Sequence, residues 1–327
     1  MIKYLHVLNG KIKKGNKSDY AKPKKDELLW VFLIEPSKEE MNRAIKDFNL
    51  EKKPFERYTK ENHSVRYSMD PFEFVIIDYF LENGKIGHAY LLFIIRDNLL
   101  LVTSSKNNNF YEELFENISA HIEKNRIPPK NIGRILHAFL QEDIEENYDV
   151  LDKVAESISA LEEKAANFQG TNTVDIQEII RLKRKLFIMG RRFWASTKII
   201  FLLKAGFTNV KLDEETSKLL VDVHDTFLHQ MDIVTGNKEM LTDVMNVYAT
   251  SISNKLAIIS NELNQTMKKM SAFALILLIP TLIASIYGMN FPDIPLVHSQ
   301  YGLHIVLATM GLITIFLVHA FRKRGWL

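Results

Sequence analysis

The chain has 327 residues, 42 Lys+Arg against 40 Asp+Glu, and no cysteine. A formal charge of +2 argues against a strongly basic nucleic-acid binder and an acidic disordered chain, and the lack of cysteine excludes disulfides, thiolate zinc sites and a cysteine nucleophile. With 46% hydrophobic residues the chain can bury a core, and its length suggests two or three domains. The charge is unevenly spread. Between Lys269 and Arg322 there is no Lys or Arg, and Asp293 is the single carboxylate.

Residues 1 to about 135 read as an α/β cytoplasmic domain. Leu28–Ile34, Glu73–Leu81, His88–Arg96 and Leu99–Ser105 are short runs rich in β-branched and aromatic residues, bounded by turn signals. Asn83-Gly84 and Asp97-Asn98 sit between successive runs, so they predict a meander that is at least partly antiparallel. Ser37 followed by Glu40 predicts a capping box at a helix start, and Pro128-Pro129 marks a break. The N-terminus lacks the continuous apolar stretch of a signal peptide.

Residues 136–210 read as a helical hairpin. Leu140, Ile144, Tyr148, Leu151, Val154, Ile158 and Leu161 recur at helical spacing, with Asp and Glu on the other face. Gln169-Gly170-Thr171-Asn172 ends that helix. The second helix, from about Val174 to Leu203, carries Arg181, Lys183, Arg184, Lys185, Arg191 and Arg192. An acidic and a basic helix joined by a tight turn make an antiparallel hairpin with complementary faces, while for most of the individual residues a solvated surface charge is the better reading. Residues 211–269 read as a stalk helix with Asp213 as its cap. Its stripe Leu220, Val223, Phe227, Met231, Val234, Leu241, Val244 and Tyr248 has coiled-coil-like spacing and implies self-association. If the helix continues into the apolar run beyond it, its ~75 residues span roughly 110 Å.

Two apolar runs follow, residues 270–287 and 301–321, each long enough to cross a hydrocarbon core of about 30 Å. They are joined by a loop over residues 288–300 and followed by a basic tail over residues 322–327. Lys268 and Lys269 flank the first run, Arg322, Lys323 and Arg324 follow the second, and the loop has no Lys or Arg. The positive-inside rule predicts a multi-pass protein of the cell membrane with both termini cytoplasmic.

Along the first run the stalk register extends to Asn264, Met267, Ser271, Ala274, Leu278, Thr281, Ser285 and Gly288, spaced three and four residues apart. One face thus carries small, hydroxyl and amide groups interrupted by Met and Leu. Periodicity alone leaves two readings open: close packing between membrane helices, or a pore with polar rings and apolar gates.

The helix ends in Tyr287-Gly288-Met289-Asn290-Phe291, and here the chain resembles the CorA family of magnesium transporters. The Gly-Met-Asn tripeptide stands in the expected context of a long helix, a short loop, a second span and the ending Arg322-Lys323-Arg324-Gly325-Trp326-Leu327. The resemblance is closest over about residues 260–327. It implies an α+β cytoplasmic domain with a helical hairpin, a long stalk and two C-terminal membrane helices, assembled as a homopentameric funnel.

It also implies a divalent-cation channel in which Gly288, Met289 and Asn290 form the outer mouth and selectivity filter. Asn264, Thr281 and Ser285 would supply polar rings, and Met267, Met270 and Leu278 the hydrophobic gate. Family members often carry two glutamates in the loop, whereas this chain has only Asp293 to attract cations, with His298 nearby. Gating by Mg²⁺ between cytoplasmic domains makes Glu142, Asp143, Glu145, Glu146 and Asp149 a possible regulatory cluster. Mg²⁺ is then substrate and regulatory ligand, no other cofactor is expected, and the partners are further copies, the bilayer and divalent ions. Zn²⁺, Co²⁺ or Ni²⁺ transport within the same family is the alternative, and a non-conducting membrane scaffold or sensor is the competitor from another class. An enzyme is not expected: HExxH, a glycine-rich phosphate loop and Gly-x-Ser-x-Gly are all missing.

Overall fold

The computed structural model describes residues 1–8, 11–16, 20–24, 26–59, 67–69, 71–124, 126–168, 175–291, 294–296 and 298–327. The chain divides into two units. One comprises Met1–Ala165 with Val174–Asn246, the other Ala166–Thr173 with Val247–Leu327.

The first unit is built on a sheet of seven strands: β1 (Ile2–Leu8), β2 (Lys11–Gly15), β3 (Leu28–Ile34), β4 (Tyr67–Met69), β5 (Phe72–Glu82), β6 (Lys85–Arg96) and β7 (Leu99–Ser104). Their spatial order is β2-β1-β3-β7-β6-β5-β4. The predicted meander is β5-β6-β7, antiparallel throughout, with Glu82 opposite Lys85 across the Asn83-Gly84 turn. Both turn residues have positive φ, as a tight two-residue hairpin requires. β3 pairs with β7 in parallel, because α1 (Lys38–Phe48) and the segment after it carry the chain away before the meander begins.

Every residue of β3 is buried, which is why it reads as a continuous apolar run: both faces of the sheet are covered. On one face Tyr4, Val31, Leu92 and Leu101 pack with Phe48 of α1 and Phe55 of α2 (Lys52–Arg57). On the other, Trp30, Phe32 and Phe93 meet Phe115 of α3 (Asn109–Glu123) and Phe139 of α4 (Ile132–Ala166) in edge and tilted ring contacts. The capping box forms as read: the Glu40 N–H donates to Ser37 Oγ and the Ser37 N–H to Glu40 Oε2.

The sequence reading passed over β1 and β2. Their run is broken by Lys3 and His6, which look solvent-facing but are buried, with Lys3 Nζ 2.8 Å from Glu116 and His6 Nε2 3.3 Å from Glu27.

The hairpin is α4 with α5 (Ile176–Lys204). The turn at residues 169–172 lies outside the described residues. The complementary faces do not pack on each other, and most of these charges are solvated, as expected of them individually. Among the described residues, of Arg181, Lys183, Arg184, Lys185, Arg191 and Arg192 only Arg192 pairs with an acid of α4. Other exposed acids on α4, among them Glu145, Asp149 and Asp152, and most of the cations on α5 point outward, because the helices meet through apolar residues.

The stalk is α6 (Glu214–Tyr287), a single helix of 74 residues with the Thr216 N–H donating to Asp213 Oδ1 at its start. Its stripe corrects one expectation. Leu220, Val223, Phe227, Val234, Leu241 and Val244 are already buried within the chain, against its own hairpin. That stripe therefore does not require a second copy.

The second unit holds the rest of α6 and α7 (Gly302–Lys323). Both helices are long and apolar enough to cross a membrane. From Leu256 to Ser271 every residue of α6 is exposed, including Leu256, Leu263 and Met267. More than four helical turns thus have no cover within one chain. An isolated helix of this length is marginal in water, so this segment, rather than the upper stripe, calls for neighbours.

Candidate functional site

Within the apolar part of α6, one face is covered and the opposite face is not. Ala272 and Ile276 are buried against Phe321, Leu317, Val318, Trp326 and Leu327, and Ile279, Pro280, Ile283 and Tyr287 continue that half-covered face. Asn264, Met267, Ser271, Ala274, Leu278, Thr281, Ser285 and Gly288 are all exposed. At 3.6 residues per turn the centres of these two faces lie roughly 180° apart. The stripe read from sequence is therefore the face that α7 leaves open. Met270 is also exposed and lies on its flank.

Local chemistry tunes this face. The Thr281 hydroxyl donates to the Leu277 carbonyl at 2.7 Å. Its proton is used inside the helix, so the oxygen turned outward is an acceptor, which suits the hydrogens of water around a cation. At the end of α6 the Gly288 N–H donates to Ala284 O (2.9 Å) and Ser285 O (3.2 Å), and the Met289 N–H to Ile286 O (3.2 Å). The helix thus tightens into a turn that puts Met289 and Asn290, both exposed, at its tip. A Cβ on Gly288 would stand 3.4 Å from Ala284 O, an ordinary contact. Among the described residues of one chain, nothing demands glycine there. From Asn264 to Gly288 the face is roughly 36 Å long, enough to cross a hydrocarbon core of about 30 Å.

The loop beyond is held by Gly302. A Cβ at that position would meet Leu296 O at 2.0 Å, so only glycine fits under the loop. Asp293, expected to attract cations, lies outside the described residues.

The tail has a defined structure. Gly325, at φ +68°, lets its N–H reach Arg322 O (3.0 Å) and the Trp326 N–H reach Phe321 O (2.9 Å), a Schellman closure of α7. The turn stacks the Trp326 ring on Phe321 at 5.6 Å and seats both beside the first membrane turn of α6. Lys268, Lys269, Arg322, Lys323 and Arg324 consequently gather at one end of the helix pair, all exposed. This role of Gly325 and Trp326 was legible only as a family-like ending.

The acidic set on α4 does not converge. Asp143 is buried and receives two bonds from Arg192 Nη2, at 2.6 and 2.5 Å, while Arg192 also donates to Asn147 and lies 3.1 Å from Asp78. Burial and the neighbouring Asp143 carboxylate push Asp78 well above the usual carboxylate range, and Tyr111 donates its hydroxyl to Asp78 at 2.9 Å. Glu146 accepts the Leu81 N–H at 2.7 Å. Glu142, Glu145 and Asp149 keep solvent access. Among the described residues no group of three or more His, Asp or Glu side chains could hold a metal ion. The buried Arg192 site was hidden in sequence among five other cations.

The family model of CorA-like Mg²⁺ transporter proteins matches residues 25–323. A cobalt/magnesium transport protein CorA of Methanocaldococcus jannaschii is 26% identical over 94% of this chain and 96% of that protein. One of the same description from Thermotoga maritima is 27% identical over 72% of this chain, and the aligned part spans 63% of that relative. The complete structure of the M. jannaschii CorA magnesium transporter superposes with a TM-score of 0.71 at 24% identity, covering 100% of this chain and 99% of that one, which establishes the fold. The matched family is one of membrane transporters, and the match takes in the sheet from β3 onward, the hairpin, the stalk and both apolar helices. The chain belongs to the family of CorA-like Mg²⁺ transporter proteins.

Proposed function

We propose that five copies of this chain surround a pore that conducts Mg²⁺ passively into the cell. In this reading the face of α6 opposite α7 lines the pore, and Gly288, Met289 and Asn290 form its outer mouth. The single observation that carries the reading is that the stripe of small, hydroxyl and amide residues from Asn264 to Gly288, interrupted by Met267 and Leu278, lies on the side of α6 opposite the one α7 covers. A lipid-facing helix has no use for such a stripe, and a helix packed on its own chain would have buried it.

The chemistry suits the ion. Mg²⁺ keeps its water shell and requires octahedral oxygen geometry. Asn290 and Asn264 carbonyls and the Thr281 and Ser285 hydroxyls can accept hydrogen bonds from those waters without stripping them. Carboxylates would hold the ion more tightly and slow its exit. Leu278, with Met267 and Met270, would close the path by dewetting. An inside-negative potential supplies about 4.6 kcal/mol per 100 mV for a divalent ion. Clustering of the cations at one end of the α6–α7 pair supports cytoplasmic termini in the cell membrane.

Closure by cytoplasmic Mg²⁺ completes the reading. Asp143 and Glu146 are engaged inside the chain, so within that set Glu142, Glu145 and Asp149, which keep solvent access, are the candidates from which a site for that ion between copies would draw. Co²⁺ is the second candidate substrate, since both relatives described above carry cobalt in their names.

Flux into liposomes reconstituted with the full chain tests the reading, with Mg²⁺, Co²⁺, Ni²⁺ and Zn²⁺ compared. Mg²⁺ entry that Asn290→Ala abolishes is the expected result. Entry of only the softer ions would overturn the substrate, and silence for every ion with oligomers intact would favour a non-conducting scaffold.

A further inference from the structure

The hairpin carries an exposed face that neither membrane insertion nor ion conduction explains. Between Arg191 and Leu203 every residue of α5 is buried except Arg191, Trp194, Lys198 and Phe201. The same line continues back through Phe187 and Arg184, so aromatic and cationic residues alternate at steps of three and four. Trp194 is 57% exposed and Phe187 55%. Arg191 lies over the Phe187 ring at 5.9 Å, and with Gly190, Met231 and Val234 these side chains line a groove of about 240 Å³ between α5 and α6. Solvated cations need no explanation, but large aromatics held outward at seven-residue intervals leave apolar area in water that a partner would cover.

α4 supplies the counterpart. Its exposed acids Glu145, Asp149, Asp152 and Glu156 follow the same four-three spacing. They point away from α5, which α4 meets through Asp143 and Asn147, and away from α6, which it meets through Ile144 and Tyr148. The two charged faces of one chain therefore cannot reach each other.

We propose that the face of α5 formed by Arg184, Arg191 and Trp194 docks on the acidic face of α4, at Asp149, Asp152 and Glu156, of a second copy of this chain. Register supports the pairing. Within one chain α4 and α5 run antiparallel, and Arg192 reaches Asp143 and Asn147. Arg191 thus stands at the height of residues 145–149, and Arg184, seven residues back, at the height of residues 152–156. A rotation about an axis along the helices preserves height, so it brings these residues face to face in the next copy. Cations and acids that both repeat every seven residues stay in phase along the contact. Because the two surfaces differ, the contact is head-to-tail and closes into a ring. Asp149 is used here as an ion-pair partner, which leaves Glu142 and Glu145 for Mg²⁺. The inference rests on the oligomer proposed above and names one of its contacts.

The absence of cysteine makes the test direct. The full-length protein carrying both Arg191→Cys and Asp149→Cys is treated in detergent with a short bis-maleimide, beside each single substitution. The expected result is a shift from monomer to a ladder of linked oligomers in the double variant alone. Arg191→Glu should shift the oligomer to lower mass, and adding Asp149→Lys should restore it. Absence of the ladder while size-exclusion mass measurement shows an intact oligomer would overturn this contact and leave the oligomer standing. A monomeric wild type would overturn both. Labelling of Arg191→Cys that phosphatidylglycerol vesicles block and oligomer formation does not would assign the face to lipid and overturn the docking.

Discussion

The two halves of α6 obey opposite rules in one unbroken helix. In the upper half the apolar stripe positions Leu220, Phe227 and Leu241 are fully buried, together with Gln230 and Asn237, against the chain's own hairpin. In the lower half Leu277 and Leu278 are 68% and 60% exposed, and the small residue Ala272 is buried. The first pattern is that of a helix whose packing on its own chain is driven by water. The second fits a helix surrounded by lipid and, on the function proposed above, by other copies, where small residues set the contacts and apolar surface costs nothing to expose. Burial within one chain therefore reports stability above and leaves function to the uncovered face below.

That contrast can be broken from either side. Phe227→Ala should cost about 3–5 kcal/mol of stability by the cavity it leaves, read as a lower denaturant midpoint of the purified protein. A loss under about 1 kcal/mol would mean that the upper stripe is not the core it looks to be. Arg192→Ala should cost a similar 3–5 kcal/mol, because it strands the Asp143 carboxylate in the interior. Replacing Arg181 on the exposed side of the same helix should leave the midpoint within about 0.5 kcal/mol.

Asp78 adds a pH dependence whose sign is fixed. Its raised affinity for a proton in the folded state means that folding is favoured at low pH. This contribution falls as pH rises from the ordinary carboxylate range through the raised value, by at most about 1.4 kcal/mol per pH unit. Thermal midpoints of Asp78→Asn across that range should lack the fall, and an unchanged slope would remove Asp78 from the account. Ser37→Ala should cost about 1 kcal/mol through its lost cap, visible in the same melt. Smallest of all in stability, Leu278→Ala should stay within about 0.5 kcal/mol while raising ion leak through the reconstituted protein. A large stability loss with unchanged leak would make Leu278 a core residue.

The strands with unmixed apolar runs, the Asn83-Gly84 hairpin, the Ser37 capping box and both apolar helices were legible because each is decided by local pattern. The parallel β3–β7 pairing was not, since no local signal distinguishes which of two buried strands lies beside the other. β1 was hidden by Lys3 and His6, whose partners Glu116 and Glu27 are distant or unmarked in sequence. The same gap runs through the hairpin, where Arg192 looks like its neighbouring cations in sequence and burial alone singles it out. On the candidate pore face the eight-residue stripe was legible in full as a spacing. Which direction it faced was not, because that depends on α7 packing against Ala272 and Ile276.

The central claim is that the face of α6 opposite α7 lines an ion path, and a cysteine-free chain allows it to be tested residue by residue. Single cysteines would replace Ala274, Leu278, Thr281 and Ser285 on that face, and Ile276, Ile279 and Ile283 on the other. Mg²⁺ flux into liposomes would be followed before and after a charged methanethiosulfonate reagent. Block at the first four positions and indifference at the other three is the predicted result. Block that follows the Ile276 face, or ignores helical period altogether, would contradict the account.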